Sequence, residues 1–280
     1  MIKLALSDLD NTLVWGDMPR VATPATRKAI HQALHAGVRF APATGRKASS
    51  LPELFCQDEK CYETALANNG QTIYLDGKLV HEVDFSPSSL QRAAQALEPF
   101  GDAWLVVDFL DEPPLAIGAP MELIREHPEH FWRVKRSADK VPERPIPKAS
   151  VRVIAGFSRG RKIRHVLADA CPDLDFVFPT QERPLIDVVP RGWGKGAAGL
   201  WLAKRLGIAP DEVCCFGDAG NDLEMFSRFS NSVAVENAKP DAAAAARWHI
   251  GPASEDSVGK AIAEIARAAA AGEDPSFMRD

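Results

Sequence analysis

Two carboxylates two residues apart, delivered at the end of a short apolar run, constrain this chain more than any other feature. Ile2-Lys3-Leu4-Ala5-Leu6-Ser7 has the near-continuous hydrophobicity of a strand buried on both faces of a parallel sheet, and Asp8-Leu9-Asp10 follows it directly. In an extended chain alternate side chains share a face, so Asp8 and Asp10 address the same space. Strand ends of open α/β sheets are where ligands bind. Two acids there, with Asn11-Thr12 turning the chain, suit a hard cation and the anion it accompanies. They equally suit a plain strand end in which Asp10 and Thr12 hydrogen-bond the turn.

Two further strand ends repeat the pattern. Residues 38–43 read as a strand running into Thr44-Gly45-Arg46, where a hydroxyl and a glycine permit close approach, or where Thr44 simply caps the next helix. Residues 211–216 read as a buried strand ending in Gly217-Asp218-Ala219-Gly220-Asn221-Asp222. Lys195 opens an apolar, well-patterned helix that stops at Gly207. Acids alone would describe a calcium site, which has little need of a lysine. Mg²⁺ with a phosphate needs the mixture: acids hold the ion, Lys and Thr meet phosphate oxygens, and one acid is left to attack phosphorus.

The rest of the chain supplies a frame for these ends. Residues 23–37 read as a helix begun by Thr23-Pro24, and the excursion of residues 14–20 carries Trp15, expected to pack rather than to cover a site. A strand at 64–67 ends at Asn68-Asn69-Gly70, by default a tight turn, and a hairpin follows around Asp76-Gly77. From about residue 83 the texture changes. A helix to about 98, strands at 104–107 and 115–117, a short helix at 121–126, a proline-rich stretch at 138–148, a strand at 151–155, a helix at 159–170 and strands at 175–178 and 185–189 form two α-β-β groupings. They read as a separate α+β layer inserted into a host domain. After the return come strands at 232–235 and 248–250, an alanine tract at 242–246 and a helix at 257–271.

Composition narrows the function classes. A net charge of −5 with no basic run leaves no electrostatic footprint for nucleic acid, and no apolar segment is long enough for a membrane span or a secretory leader. Five cysteines without C-x-x-C spacing argue against a disulfide framework or a zinc site and fit a reducing cytoplasm.

Taken together the chain resembles the haloacid dehalogenase superfamily, and within it the Cof-type sugar-phosphatase-like branch. The resemblance is carried by Asp8-Leu9-Asp10-Asn11-Thr12-Leu13, Ala43-Thr44-Gly45-Arg46, Asn69-Gly70, Lys195-Gly196, Gly217-Asp218-Ala219-Gly220-Asn221-Asp222 with Met225, and Asn237-Ala238, in the family's order. Asn11 and Ala219 stand where glycine is commoner; both are turn positions and neither removes a functional group. The middle of the chain matches only in size and texture.

The resemblance implies an α/β fold: a Rossmann-like parallel-sheet core at residues 1–82 and 189–280, with an α+β cap inserted at 83–188. It implies a Mg²⁺-dependent phosphatase that hydrolyses small phosphorylated metabolites, sugar phosphates or phospho-sugar acids, through an aspartyl-phosphate. Asp8 is then the nucleophile and Asp10 the acid/base. Asp8, Asp218 and the main-chain carbonyl of Asp10 hold the metal, with Asp222 as a further ligand or an acid behind them. Thr44, Lys195 and N–H groups near Leu9 meet the phosphoryl oxygens, and Gly45, Arg46, Asn69, Asn221 and Asn237 lie near the site. A phosphomutase on the same core, a phospho-accepting switch and an idle binding protein are the alternatives. Trp104, Arg133, Arg152 and Arg183 are the cap's candidates for contact with the leaving group.

Overall fold

Strand β1 (Leu4–Ser7) is buried at every position and lies inside a sheet, not at its edge. The structure, a computed structural model, describes residues 1–17, 19–110, 112–179 and 184–278. In chain order the remaining strands are β2 (Arg39–Pro42), β3 (Ala65–Ala67), β4 (Thr72–Leu75), β5 (Lys78–Glu82), β6 (Ala103–Asp108), β7 (Leu115–Ile117), β8 (Arg136–Ala138), β9 (Lys148–Val153), β10 (Leu174–Val177), β11 (Leu185–Pro190), β12 (Val213–Gly217), β13 (Asn231–Val235) and β14 (Trp248–Ile250). The helices are α1 (Pro24–His35), α2 (Leu51–Leu54), α3 (Pro87–Leu97), α4 (Met121–Glu126), α5 (Phe157–Ala170), α6 (Lys195–Leu206), α7 (Leu223–Arg228), α8 (Pro240–Ala245) and α9 (Ser257–Ala271). Two compact units result, Met1–His81 with Gly194–Asp280, and Glu82–Trp193.

The first unit is built on a five-stranded sheet of order β14-β13-β12-β1-β2 in which every pair is parallel. Both faces are covered. Ala5, Phe40, Phe216 and Val233 pack with Ile30 of α1 and Ile262 and Ile265 of α9. On the opposite face α6 comes so close that a Cβ on Gly199 would stand 2.8 Å from Leu6. This two-sided burial is why β1 reads as a continuous apolar run. Helix α1 starts where Thr23 accepts a hydrogen bond from the Thr26 N–H, with Pro24 as its first residue.

Register decides where the polar groups emerge. Ser7 lies opposite both Phe216 and Pro42, so Asp8, Gly217 and Ala43 leave the sheet at one level. The chain passes from β1 to β2 on one side and later places β12 on the other, so this level is also the sheet's topological switch point. A smaller sheet of order β3-β4-β5 joins here through the Thr44 N–H, which donates to the Leu66 carbonyl at 2.8 Å.

The second unit carries a six-stranded sheet of order β10-β11-β9-β6-β7-β8, antiparallel except for β7 with β8. Leu90 and Leu97 of α3 and Ile163 and Leu167 of α5 cover one face, and Ile124 and Phe131 pack with Val106 and Ala116 on the other. Leu174 pairs with Pro190, which keeps the end of β11 in this sheet and carries the unit on to Trp193, past the boundary at 189 expected from sequence. Among the described residues no helix is long and apolar enough to cross a membrane.

Candidate active site

Asp8 continues the sheet one residue past β1, its N–H donating to the Phe216 carbonyl at 2.9 Å. That bond places its side chain beside the loop leaving β12 and the first residue of α6. Lys195, 1% exposed, donates from Nζ to Asp8 Oδ1 at 2.5 Å and to Asp222 Oδ1 at 2.7 Å. The second oxygen of Asp222 accepts from the N–H groups of Asp218 and Ala219 at 3.0 and 3.1 Å, closing the loop on itself. Gly217 has to be glycine for this closure, because a Cβ there would fall 2.5 Å from the Asp222 carboxyl carbon. Thr12 donates its hydroxyl to Asp218 Oδ1 at 3.1 Å. Asp8, Asp218 and Asp222 then offer carboxylate oxygens that all lie within 4.8 Å of one another.

Three acids share one buried ammonium, and the electrostatics record the shortfall. Burial pushes the Asp8 carboxyl up to about 7; Lys195 pulls it back only in part, and the Asp222 and Asp10 charges add to the rise. Burial, then the Asp8 and Asp222 charges, push Asp218 up to about 8. Burial works against the charge of Lys195, but Asp222 and Asp8 outweigh it and hold the ammonium above its ordinary range. Hard oxygen donors at this spacing, short of positive charge, fit a divalent cation of the magnesium kind.

Asp10 is turned to different partners. Arg46 grips it with both arms, Nε to Oδ2 at 2.6 Å and Nη2 to Oδ1 at 2.6 Å, and Arg20 adds a contact at 3.3 Å. Burial raises the Asp10 carboxyl, yet the Arg46 and Arg20 guanidiniums outweigh it and hold it below the usual carboxylate range. The turn after it is tight: Asn11 sits at φ 61°, and the buried Leu9 carbonyl accepts from the N–H groups of Thr12 and Val14. Asn237 braces that turn. Its amide donates to the Asn11 carbonyl at 2.8 Å and its oxygen accepts from Ala253 N–H at 2.8 Å. Both ends of the Asn237 amide are thus engaged by main chain.

Thr44 is buried, and its hydroxyl accepts from the Arg46 N–H at 3.1 Å across the intervening Gly45. Its carbonyl accepts from Asn69 N–H at 2.8 Å, tying it to the left-handed turn Asn68–Gly70. That turn docks on α6, where a Cβ on Gly70 would stand 2.5 Å from the Ala198 methyl. Asn221 donates to Asn69 Oδ1 at 3.5 Å, and its own Oδ1 is buried without a hydrogen-bond partner.

Sequence reasoning missed two side chains here. Arg20 lies in an irregular stretch with no local pattern. Glu224, on α7, accepts from Gly196 N–H at 3.1 Å and Ala197 N–H at 3.0 Å, capping the helix that Lys195 opens. Its only trace in the sequence is the pair Gly194 and Gly196, where a Cβ would collide with Glu224 atoms. Trp15, expected to pack, is 49% exposed, because the excursion carries it off the core. Of the leaving-group candidates, Trp104 and Arg152 form a cross-strand pair of β6 and β9, and exposed Arg133 stacks over Trp132 at 5.1 Å. Arg183 lies outside the described residues.

Comparison with known proteins places the chain in a family. A family model described as haloacid dehalogenase-like hydrolase matches residues 5–262. A protein of Cronobacter sakazakii named HMP-PP phosphatase is 26% identical, covering 86% of each chain. The Bacillus subtilis protein named 5-amino-6-(5-phospho-D-ribitylamino)uracil phosphatase YwtE is 25% identical over 85% of this chain and 88% of its own. The crystal structure of SMU.1108c from Streptococcus mutans superimposes with a TM-score of 0.80 at 21% identity, covering 94% of this chain and 98% of that one.

Proposed function

Because the chain belongs to the haloacid dehalogenase-like hydrolase family, we propose that it is a Mg²⁺-dependent phosphatase of small phosphorylated metabolites, working through an aspartyl-phosphate on Asp8. The observation that carries this reading is the buried Lys195 shared between Asp8 and Asp222, with Asp218 alongside. Neutralising charge and fixing position are most of what phosphoryl transfer asks of a protein.

One oxygen of Asp8 is bound to Lys195, and the other forms the bond to phosphorus as the ester P–O bond breaks. Asp10 gives a proton to the departing alkoxide. It then takes one from the water that attacks the phosphorus of the acyl phosphate, releasing inorganic phosphate and restoring Asp8. The clasp of Arg46 holds Asp10 ionised, the form the second step needs; for the first, its carboxyl has to leave Arg46 and carry a proton. The Thr44 hydroxyl accepts from a main-chain N–H, which leaves its proton for a phosphoryl oxygen, and Lys195 serves the same group. Asp8, Asp218 and the Asp10 carbonyl would hold Mg²⁺, with Asp222, whose oxygens are already bonded, behind them. The ion supplies charge neutralisation at the phosphoryl group.

Sugar phosphates and phospho-sugar acids are the substrates proposed, in keeping with a relative named for a phosphoribityl compound. Five free cysteines, as a reducing compartment keeps them, support a cytoplasmic setting. The test is phosphate release from a panel of phosphorylated sugars, sugar acids and nucleotides, with Mg²⁺ or with chelator, for the wild type and Asp8→Asn. Magnesium-dependent release lost in Asp8→Asn is the expected result. Full turnover in excess chelator, or in the variant, would sink the proposal.

A further inference from the structure

Away from the acidic centre, three side chains of different donor chemistry converge. His31 on α1, Asp58 in the loop after α2 and Cys61 at the end of the 3-10 turn Glu59–Cys61 bring a ring nitrogen, a carboxylate oxygen and a sulfur within 4.8 Å of one another. His31 Nε2 stands 2.9 and 3.1 Å from the two Asp58 oxygens, and Cys61 is wholly buried. The loop that carries the donors is pinned: Asp58 N–H donates to the Phe55 carbonyl at 3.1 Å, Cys61 N–H to the Asp58 carbonyl at 3.0 Å, and Arg27 on α1 to the Phe55 carbonyl at 3.3 Å.

This donor set selects a different ion from the one suited to the acidic centre. Magnesium and calcium take oxygens, whereas imidazole with thiolate suits zinc and its neighbours. Ligands about 2.0–2.3 Å from a tetrahedral zinc are roughly 3.3–3.7 Å apart, so the His31–Asp58 pair needs to open by only a few tenths of an ångström. A neutral imidazole, a carboxylate and a thiolate carry two negative charges, which a dication balances. His31 also lines a cavity of about 460 Å³ with His35, Lys60 and Glu63. A nucleophilic role for the thiol does not fit, since burial and then Asp58 push Cys61 up to about 12.

We infer that His31, Asp58 and Cys61 form a second metal site, taking one zinc-class transition ion with water at the fourth position. Binding replaces the His31–Asp58 hydrogen bond: Nε2 turns its lone pair to the ion with the ring proton on Nδ1, and the Cys61 proton passes to solvent as the sulfur–metal bond forms. A search for C-x-x-C spacing cannot find this site, because its ligands come one from a helix and two from a neighbouring loop.

Cobalt(II) tests the inference without reference to phosphatase activity, because only a thiolate ligand gives a near-ultraviolet sulfur-to-cobalt charge-transfer band. The full chain is titrated with cobalt in excess Mg²⁺, which fills the carboxylate centre. The expected result is a band that saturates at equimolar cobalt, is bleached by zinc, is absent in Cys61→Ser and persists in Cys56→Ser. His31→Gln removes a direct ligand and should weaken zinc binding, with phosphate release unchanged. No band in the wild type, or a band that survives Cys61→Ser, overturns the site. Should Cys61→Ser fail to fold, the wild-type titration and Asp58→Asn decide it.

Discussion

Lys195 sits where an unpaired ammonium would give up its proton, and Asp8 and Asp222 are what keep it charged. The dependence runs both ways, so Lys195→Met leaves three clustered acids without their shared counter-charge. Breaking buried pairs of this kind costs about 3–5 kcal/mol, and a fall in Tm on the order of 10 °C is expected. Calorimetry checks the stability and phosphate release the activity: Mg²⁺ should recover part of the lost Tm but none of the turnover. Arg46 makes a second prediction, on pH. Its clasp lowers the Asp10 carboxyl, so Arg46→Met lets that value rise. Asp10 acts as a base in the second step only when ionised, so the acid limb of the kcat profile should move to higher pH. An acid limb that stays in place would remove Asp10, or its pairing with Arg46, from the mechanism.

At the scale of elements, the first turn of α6 is held from outside. No preceding side chain caps it; Glu224 of α7 does, through two main-chain N–H groups and the favourable end of the helix dipole. Glu224→Ala should cost about 1–2 kcal/mol of stability and lower kcat, because Lys195 is the residue this cap positions. Glu224→Gln, which keeps an acceptor, should restore much of kcat, and a variant series read by Tm and kcat together would separate positioning from bare stability. What could be read from sequence follows the same division. Strand ends were legible at Asp8, Thr44 and Asp218, because burial on both faces writes itself into unbroken apolar runs and the polar residues beyond them stand out. Partners that meet only in three dimensions were not legible. Glu224 and Arg20 lie in stretches where an acid or an arginine is an ordinary surface residue, and the brace that Asn237 gives the turn after Asp10 has no local pattern to announce it. Helix α8 was hidden in the alanine tract, and β8 is half-buried throughout and shows no alternation.

At the scale of the molecule, the site draws on both arms of the first unit. Asp8, Asp10 and Thr44 come from the arm before the inserted unit, and Lys195, Asp218 and Asp222 from the arm after it. The Lys195–Asp8 bond spans 187 positions in sequence, so the acids are brought together only as this unit folds. Their repulsion is therefore a property of the folded state, and stability has to depend on pH and on the cation together. Asp8, at about 7, and Asp218, at about 8, lie above the 3.8 of an unstrained aspartate. A folded-state value raised in this way contributes stability that is complete below the unfolded value and is lost as pH climbs through the folded one. In chelator, Tm should fall as pH is taken from about 5 to about 8. Mg²⁺ works in the opposite sense, since it binds the ionised acids and displaces their protons, so its stabilisation grows over the same interval. Thermal unfolding at matched pH with Mg²⁺ and with chelator should give a Tm gap that widens from pH 5 to pH 8 and collapses in Asp218→Asn. A gap that is flat across that range would mean that Asp8 and Asp218 are already ionised without the metal, and that the charge shortfall at Lys195 is made up by some other group.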